Sequence, residues 1–190
     1  MNAAREKKYT YADLLCWDGK TRYELYCGRP VALASPSDVH QEICGELFAQ
    51  FHANIKEKSC RTYFAPFDVR LFENGGDAPE HVDTVVQPDL MVVCDRSKID
   101  SRGIHGAPDL VVEVISPSTA RNDKLLKFNL YRIAGVKEYW IVDPSDRTVQ
   151  TFVLKDGQYV AEVFAESDTV TPHIFPDCRI ELKSVFGSSY

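Results

Sequence analysis

The chain has no run approaching the roughly 18 consecutive apolar residues that a membrane-spanning helix needs. It has no internal repeat and no low-complexity segment. Its first residues, MNAAREKKYTYADLL, carry charges and no apolar core of a secretory signal, so a cytoplasmic protein is expected. None of the six cysteines (Cys16, Cys27, Cys44, Cys60, Cys94 and Cys178) forms a C-x-x-C pair, and no histidine stands at zinc-finger spacing from one. Most of the cysteines have apolar neighbours, as in Ile43–Cys44 and Val93–Cys94. That pattern predicts buried free thiols in a reducing compartment. A helix-turn-helix, a zinc finger and a basic arm are all missing, so no standard DNA-reading element announces itself.

A surplus of positive charge is lacking too. Lys and Arg number 22 against 28 Asp and Glu, a net charge of −6, and a phosphate-binding surface wants the opposite sign. The imbalance is uneven. Residues 95–137 carry 8 basic and 5 acidic side chains, a net of +3, while the flanking segments are acidic. What is present is ordinary globular composition, 44% hydrophobic and 26% charged in 190 residues, enough for one domain over residues 1–190 with a sizeable core.

Residues 9–17 read as a short helix with Thr10 as its N-cap. Cys27–Gly28–Arg29 between apolar runs reads as the turn of a β-hairpin. Ile43, Leu47 and Phe51 recur every four residues, predicting an amphipathic helix over residues 38–54. RTYFAPFDVRLF and TVVQPDLMVVCD each read as a strand, the second entered through Pro88, and KIDSRGIHGAPD as a connection. LVVEVIS is apolar except for Glu113 and reads as a buried central strand. Ser116–Pro117–Ser118–Thr119 should cap a helix over residues 119–134, ended by Gly135. VKEYWIVD is another buried strand, and Asp156–Gly157 joins the two strands of a hairpin. The closing HIFPDCRIELKSVF supplies a short strand and an apolar anchor. The order predicts a mixed α/β fold of the α+β kind, a mixed sheet flanked by helices with additional hairpins.

Glu113 is the residue with most to say. A lone buried carboxylate is costly, so it must be paired, protonated or bound to a metal. Asp109 shares its strand face but lies four residues away, roughly 13 Å, too far to share an ion directly. If residues 89–93 pair antiparallel with residues 109–113, Asp89 falls opposite Glu113, roughly 5 Å away. Two carboxylates converging there repel each other, and a divalent cation removes the repulsion. Oxygen ligands favour Mg²⁺ or Mn²⁺. On the following helix Lys127 falls close in phase to Leu130 and Ala134, toward the sheet, where a solubilising lysine has no reason to be. An ion pair with Asp123, four residues earlier, is the competing account of that lysine. Two carboxylates for a metal and a lysine able to polarise water or stabilise phosphorane-like charge make a plausible phosphodiester hydrolysis centre.

Several stretches resemble the Uma-type putative restriction endonuclease family, a branch of the PD-(D/E)XK nuclease superfamily. They are YTYADLL, RYELYCGRPVALASPSDVHQEI, QPDLMVV, GAPDLVVEVISPST, DKLLKFNLYRIAGVKEYWIVDP and IFPDCRIEL, and together they cover nearly the whole chain. The resemblance implies a restriction-endonuclease-like core. It implies Asp89 of QPD and Glu113 of EVI as metal-binding catalytic carboxylates, with Mg²⁺ or Mn²⁺ as cofactor. Ile115 stands where the superfamily pattern has lysine, and Lys127 matches the place to which the family moves it. Asp123, Tyr131, Glu24 of RYEL and His40 of SPSDVH match family positions as supporting residues. The bland alternatives are that Glu24 closes a hairpin and His40 hydrogen-bonds at a helix start.

Two functions follow. One is a metal-dependent endonuclease acting on DNA, a homo-oligomer, with a dimer the simplest form. The other is a non-catalytic oligomeric interaction module on the same fold, favoured by the acidic charge. The complete set of Asp89, Glu113 and Lys127 favours the enzyme.

Overall fold

The computed structural model describes residues 7–55, 59–115 and 122–187, the side chains of residues 122–124 excepted. In chain order the elements begin with α1 (Tyr11–Leu15), the hairpin β1 (Tyr23–Tyr26) and β2 (Arg29–Ala32), and α2 (Asp38–Ile55). Then come β3 (Arg61–Phe64), β4 (Val69–Arg70), β5 (Val85–Val86), β6 (Leu90–Val93), β7 (Ile99–Asp100), β8 (Gly103–His105) and β9 (Leu110–Val114). The chain continues through α3 (Asn122–Ala134), β10 (Glu138–Asp143), β11 (Thr148–Lys155) and β12 (Gln158–Ala165). It closes with β13 (Thr169–Val170), β14 (Ile180–Glu181) and α4 (Leu182–Phe186).

Thr10 begins α1 as expected, its backbone N–H and hydroxyl both donating to the Asp13 carboxylate. Cys27 and Gly28 take positive φ values of 50° and 83°, which turns the first hairpin, and Asp156 and Gly157 turn the second the same way. On α2 the stripe of Ile43, Leu47 and Phe51 is buried and Ile55 extends it. Gly135 follows α3 with φ 85°, the left-handed geometry that ends a helix. The capping segment 116–119 lies outside the described residues.

The strands form two six-stranded sheets and a small pair. The main sheet has the order β12-β11-β10-β9-β6-β3 and the second β2-β1-β5-β4-β8-β7. β9 and β10 are parallel, with α3 as their crossover, and β6 runs antiparallel to β9. All five residues of β9 are buried. One face of the main sheet packs on α2 through Leu90, Val92, Leu110, Val112 and Trp140. The other packs on α3 and the second sheet through Met91, Val93, Val111, Tyr131 and Tyr139. That alternation is the pleat of a strand buried on both sides.

Three expectations are corrected. RTYFAPFDVRLF is two strands in different sheets, β3 and β4, and TVVQPDLMVVCD is likewise β5 and β6. Pro66 and Pro88 fall at the breaks, where a residue without an N–H ends one ladder and frees the chain to join another. KIDSRGIHGAPD is a small hairpin, β7 and β8, that completes the second sheet. Gly103 takes φ 118° there, and any Cβ would lie 2.2 Å from the Asp68 carbonyl oxygen. The cysteines are not all buried free thiols: Cys60 and Cys94 are joined as a disulfide, and Cys16 and Cys27 are exposed. The β3–β6 register, with Arg61 opposite Val93, carries Cys60 opposite Cys94, a long-range pairing that spacing along the chain does not reveal.

Leu47 is fully buried between α2 and the main sheet. Leu47→Ala is expected to lower stability by about 2–5 kcal/mol, read from denaturant unfolding. A loss under 1 kcal/mol would mean that α2 does not pack as described.

Candidate functional site

The break between β5 and β6 places Asp89 at the entrance to β6. The β6–β9 register pairs Leu90 with Val112 and Met91 with Val111, which brings Asp89 opposite Glu113, as the sequence pattern predicted. Both line a cavity of about 510 Å³ with Glu24, His40, Lys127 and Arg22. Glu24 comes from β1, His40 from the first turn of α2, and Lys127 and Tyr131 from α3. The second sheet, α2, α3 and the main sheet thus each contribute to one cavity.

Lys127 is almost fully buried and donates to Glu113 Oε1 at 2.9 Å. Its Nζ lies 3.0 Å from Glu24 Oε1. Glu24 accepts as well from the Tyr26 hydroxyl and from the Gln87 backbone N–H at 2.7 Å. It therefore does more than close a hairpin: it is the second carboxylate on Lys127, and every partner it has is in place. Tyr131 donates to Glu113 Oε1 at 2.6 Å. The side chain of Asp123 lies outside the described residues. Asp109 serves elsewhere, accepting from the Cys94 N–H and pairing with Lys137.

Two carboxylate oxygens stand out. Both donors to Glu113 reach Oε1, and neither reaches Oε2. Asp89 Oδ2 accepts the Val114 N–H at 2.8 Å and faces His40 Nε2 at 3.2 Å. Asp89 Oδ1 and Glu113 Oε2 take no hydrogen bond from the described residues. Burial pushes the Glu113 carboxyl up to about 7, with the Asp89 and Glu24 charges adding and Lys127 and Tyr131 opposing. Burial works against the Lys127 ammonium, yet Glu113 and Glu24 outweigh it and hold its pKa well above the usual value. The hydrogen bond to Asp89 raises the His40 pKa against burial, and the Val114 carbonyl, accepting from the same imidazole, adds to the rise.

Chemically, the lysine is a fixed cation rather than a proton acceptor. Among the described residues, the carboxylates of Glu24, Asp89 and Glu113 gather around the Lys127 ammonium, with Arg22 and His40 also lining the cavity. Asp89 and Glu113, each with one uncommitted oxygen, fit a hard divalent ion bound through few protein ligands and several waters. Glu138 is the instructive contrast. It too is a buried strand glutamate, but it accepts from Trp140 and from the Ile174 N–H, and its role is structural.

Among the described residues, several cations of the basic segment 95–137 are engaged within the chain. Lys98 donates to the Ala107 carbonyl, Arg102 lies near Glu73 and Asp100, Arg132 reaches the Gly157 carbonyl and Lys137 holds Asp109. Sequence reasoning missed Arg22, which lines the cavity and has no described ion-pair partner. It missed Cys44 as well, one helical turn after His40, where H-x-x-x-C on an amphipathic helix was the available signal.

If Lys127 joins two buried carboxylates, Lys127→Met should cost about 3–5 kcal/mol, because it strands their charges. Adding Glu24→Gln should recover part of that loss. A double-mutant cycle from denaturant titrations reads the coupling, and strictly additive losses would contradict the network.

A family described as Uma2, putative restriction endonuclease, matches residues 11–183. A crystal structure described as a putative nuclease belonging to DUF820, from Anabaena variabilis, superposes with a TM-score of 0.73 at 20% identity. The match covers 93% of this chain and 97% of that one. The protein slr1290 of Synechocystis sp., which bears no functional name, is 25% identical over 182 residues, 94% of this chain and 86% of its own. The fold is thus mixed α+β, as the order of elements predicted, and restriction-endonuclease-like, as the resemblance implied.

Proposed function

The chain belongs to the Uma2 family of putative restriction endonucleases, and on that premise we propose that it is a single-domain, metal-dependent endonuclease that hydrolyses phosphodiester bonds in DNA. The observation that supports this best is a pair of oxygens without a hydrogen bond among the described residues, Asp89 Oδ1 and Glu113 Oε2, set across the β6–β9 register beside a buried lysine. The proposed cofactor is Mg²⁺ or Mn²⁺, held by Asp89 and Glu113. When bound, such an ion polarises a phosphoryl oxygen and eases deprotonation of water.

The chain's own groups do the rest. Lys127 commits donors to Glu113 and Glu24 and has three in all, leaving one for a phosphate oxygen. Its fixed charge offsets the negative charge that grows on the phosphorus oxygens in the transition state. Glu24 and Tyr131 are positioning residues: one pins the ammonium, the other fixes the Glu113 carboxylate through a single oxygen. Arg22 offers the cavity a cation for an adjacent phosphate.

The test is a cleavage assay on circular and linear DNA with Mg²⁺ or Mn²⁺. Wild type should cut and chelation should stop it. Asp89→Asn should lower the rate by at least about two orders of magnitude, about 2.7 kcal/mol of transition-state stabilisation. Equal cleavage by Asp89→Asn would sink the assignment, and no cleavage under any condition would favour the non-catalytic module. Among the described residues no helix is long and apolar enough to cross a membrane.

A homodimer is part of this reading. β12 is an edge strand of the main sheet, exposed along most of its length, with Val160 and Val163 facing outward at 48% and 65% exposure. Such edges are ordinarily covered. Light scattering at micromolar concentration should give twice the chain mass, and a monomer there would contradict it.

A further inference from the structure

Asp89 Oδ2, the oxygen turned from the uncommitted one, faces ligand atoms that the nuclease reading leaves unused. His40 and Cys44 lie one turn apart on α2, so both project from one side of the helix. His40 Nε2 is 3.2 Å from Asp89 Oδ2, and Cys44 Sγ is 3.6 Å from His40 Nδ1. One ligand atom from each of His40, Cys44 and Asp89 falls within 4.8 Å of the others. We propose that these three form a second cation seat, of imidazole, thiolate and carboxylate, which takes a borderline-soft divalent ion of the Zn²⁺ class and shares Asp89 with the carboxylate pair. From the nuclease reading this takes only Asp89 as a metal-binding carboxylate.

The dimensions suit such an ion. Tetrahedral bonds of roughly 2.0–2.1 Å to nitrogen and 2.3 Å to sulfur span an N···S edge of roughly 3.6 Å, the separation found between His40 Nδ1 and Cys44 Sγ. The contact to Asp89 is made by the other nitrogen, Nε2, so the ion takes one of the two, with all three ligand atoms inside 4.8 Å. The seat is partly enclosed: the His40 and Asp89 side chains are 16% and 19% exposed, and Cys44 is half-buried against the core of the main sheet. The chemistry is selective. Thiolate and imidazole prefer Zn²⁺ to Mg²⁺, whereas Asp89 Oδ1 with Glu113 Oε2 prefers the harder ion. On binding, the Cys44 thiol loses its proton to solvent and the imidazole nitrogen ligates as the neutral base. His40 and Asp89 line the cavity, so a fourth position on the ion opens onto it. The seat is thus of the open kind, able to hold water or a substrate oxygen.

The probe is Co²⁺, whose thiolate complexes show a near-ultraviolet charge-transfer band and whose four-coordinate sites absorb strongly in the visible. Titration of the intact chain should raise both bands to saturation at one equivalent, with millimolar Mg²⁺ leaving them in place. Cys44→Ser should abolish the charge-transfer band while the circular dichroism spectrum is unchanged. His40→Gln, at a cavity-lining position, should weaken Co²⁺ binding at least tenfold and gives an independent reading should the serine variant fail to fold. Removing the exposed thiols together, Cys16→Ser and Cys27→Ser, should change nothing. Glu113→Gln should keep the Co²⁺ bands and lose the calorimetric response to Mn²⁺, which separates this seat from the carboxylate pair. A charge-transfer band that persists in Cys44→Ser, or no such band in wild type, would overturn the proposal.

Discussion

A carboxylate at the centre of a fully buried strand cannot stay charged without compensation, and the arrangement around Glu113 answers that constraint. Its strand, β9, has main-sheet neighbours on both edges and packed cores on both faces, so water reaches Glu113 only through the cavity it lines. Lys127 and Tyr131, one turn apart on α3, both reach the same oxygen. A buried lysine then needs support of its own, because one carboxylate shared with a tyrosine is a poor return for the desolvation of both ions. Glu24 supplies it from the other sheet. The crossover helix, the hairpin and the central strand are thereby tied together through charge as well as apolar contact.

That same network leaves the site unfinished in a useful way. Among the described residues, the donors to Glu113 gather on Oε1 and the Val114 N–H goes to Asp89 Oδ2, so neither Glu113 Oε2 nor Asp89 Oδ1 accepts a hydrogen bond. A wholly structural buried glutamate looks different: Glu138 engages both of its oxygens with Trp140 and the Ile174 backbone.

Much of this could be read from residues alone where the signal was local. The four-residue stripe of α2, the Asp–Gly hairpin, the apolar run interrupted by Glu113 and the helical phase of Lys127 each follow from periodicity or turn chemistry. The facing of Asp89 and Glu113 followed from supposing that neighbouring strands pair antiparallel. What escaped was what depends on partners far along the chain. Two apparent strands divide at Pro66 and Pro88 because each half belongs to a different sheet, and nothing local says which. The Cys60–Cys94 pairing depends on register, and the second carboxylate on Lys127 comes from a residue more than 100 positions earlier. Several described cations of the net positive segment 95–137 also have partners that spacing does not reveal, such as Ala107 for Lys98, Glu73 for Arg102 and Asp109 for Lys137.

The central claim is that Asp89 and Glu113 together offer a divalent-cation seat beside a lysine held permanently charged. Crystals grown with Mn²⁺ and measured for anomalous scattering test it most directly. The account predicts an anomalous peak roughly 2.0–2.3 Å from both Asp89 Oδ1 and Glu113 Oε2, with Lys127 still on Glu113 Oε1. A well-ordered cavity with no peak at saturating Mn²⁺, or a peak only on exposed carboxylates elsewhere, would contradict it.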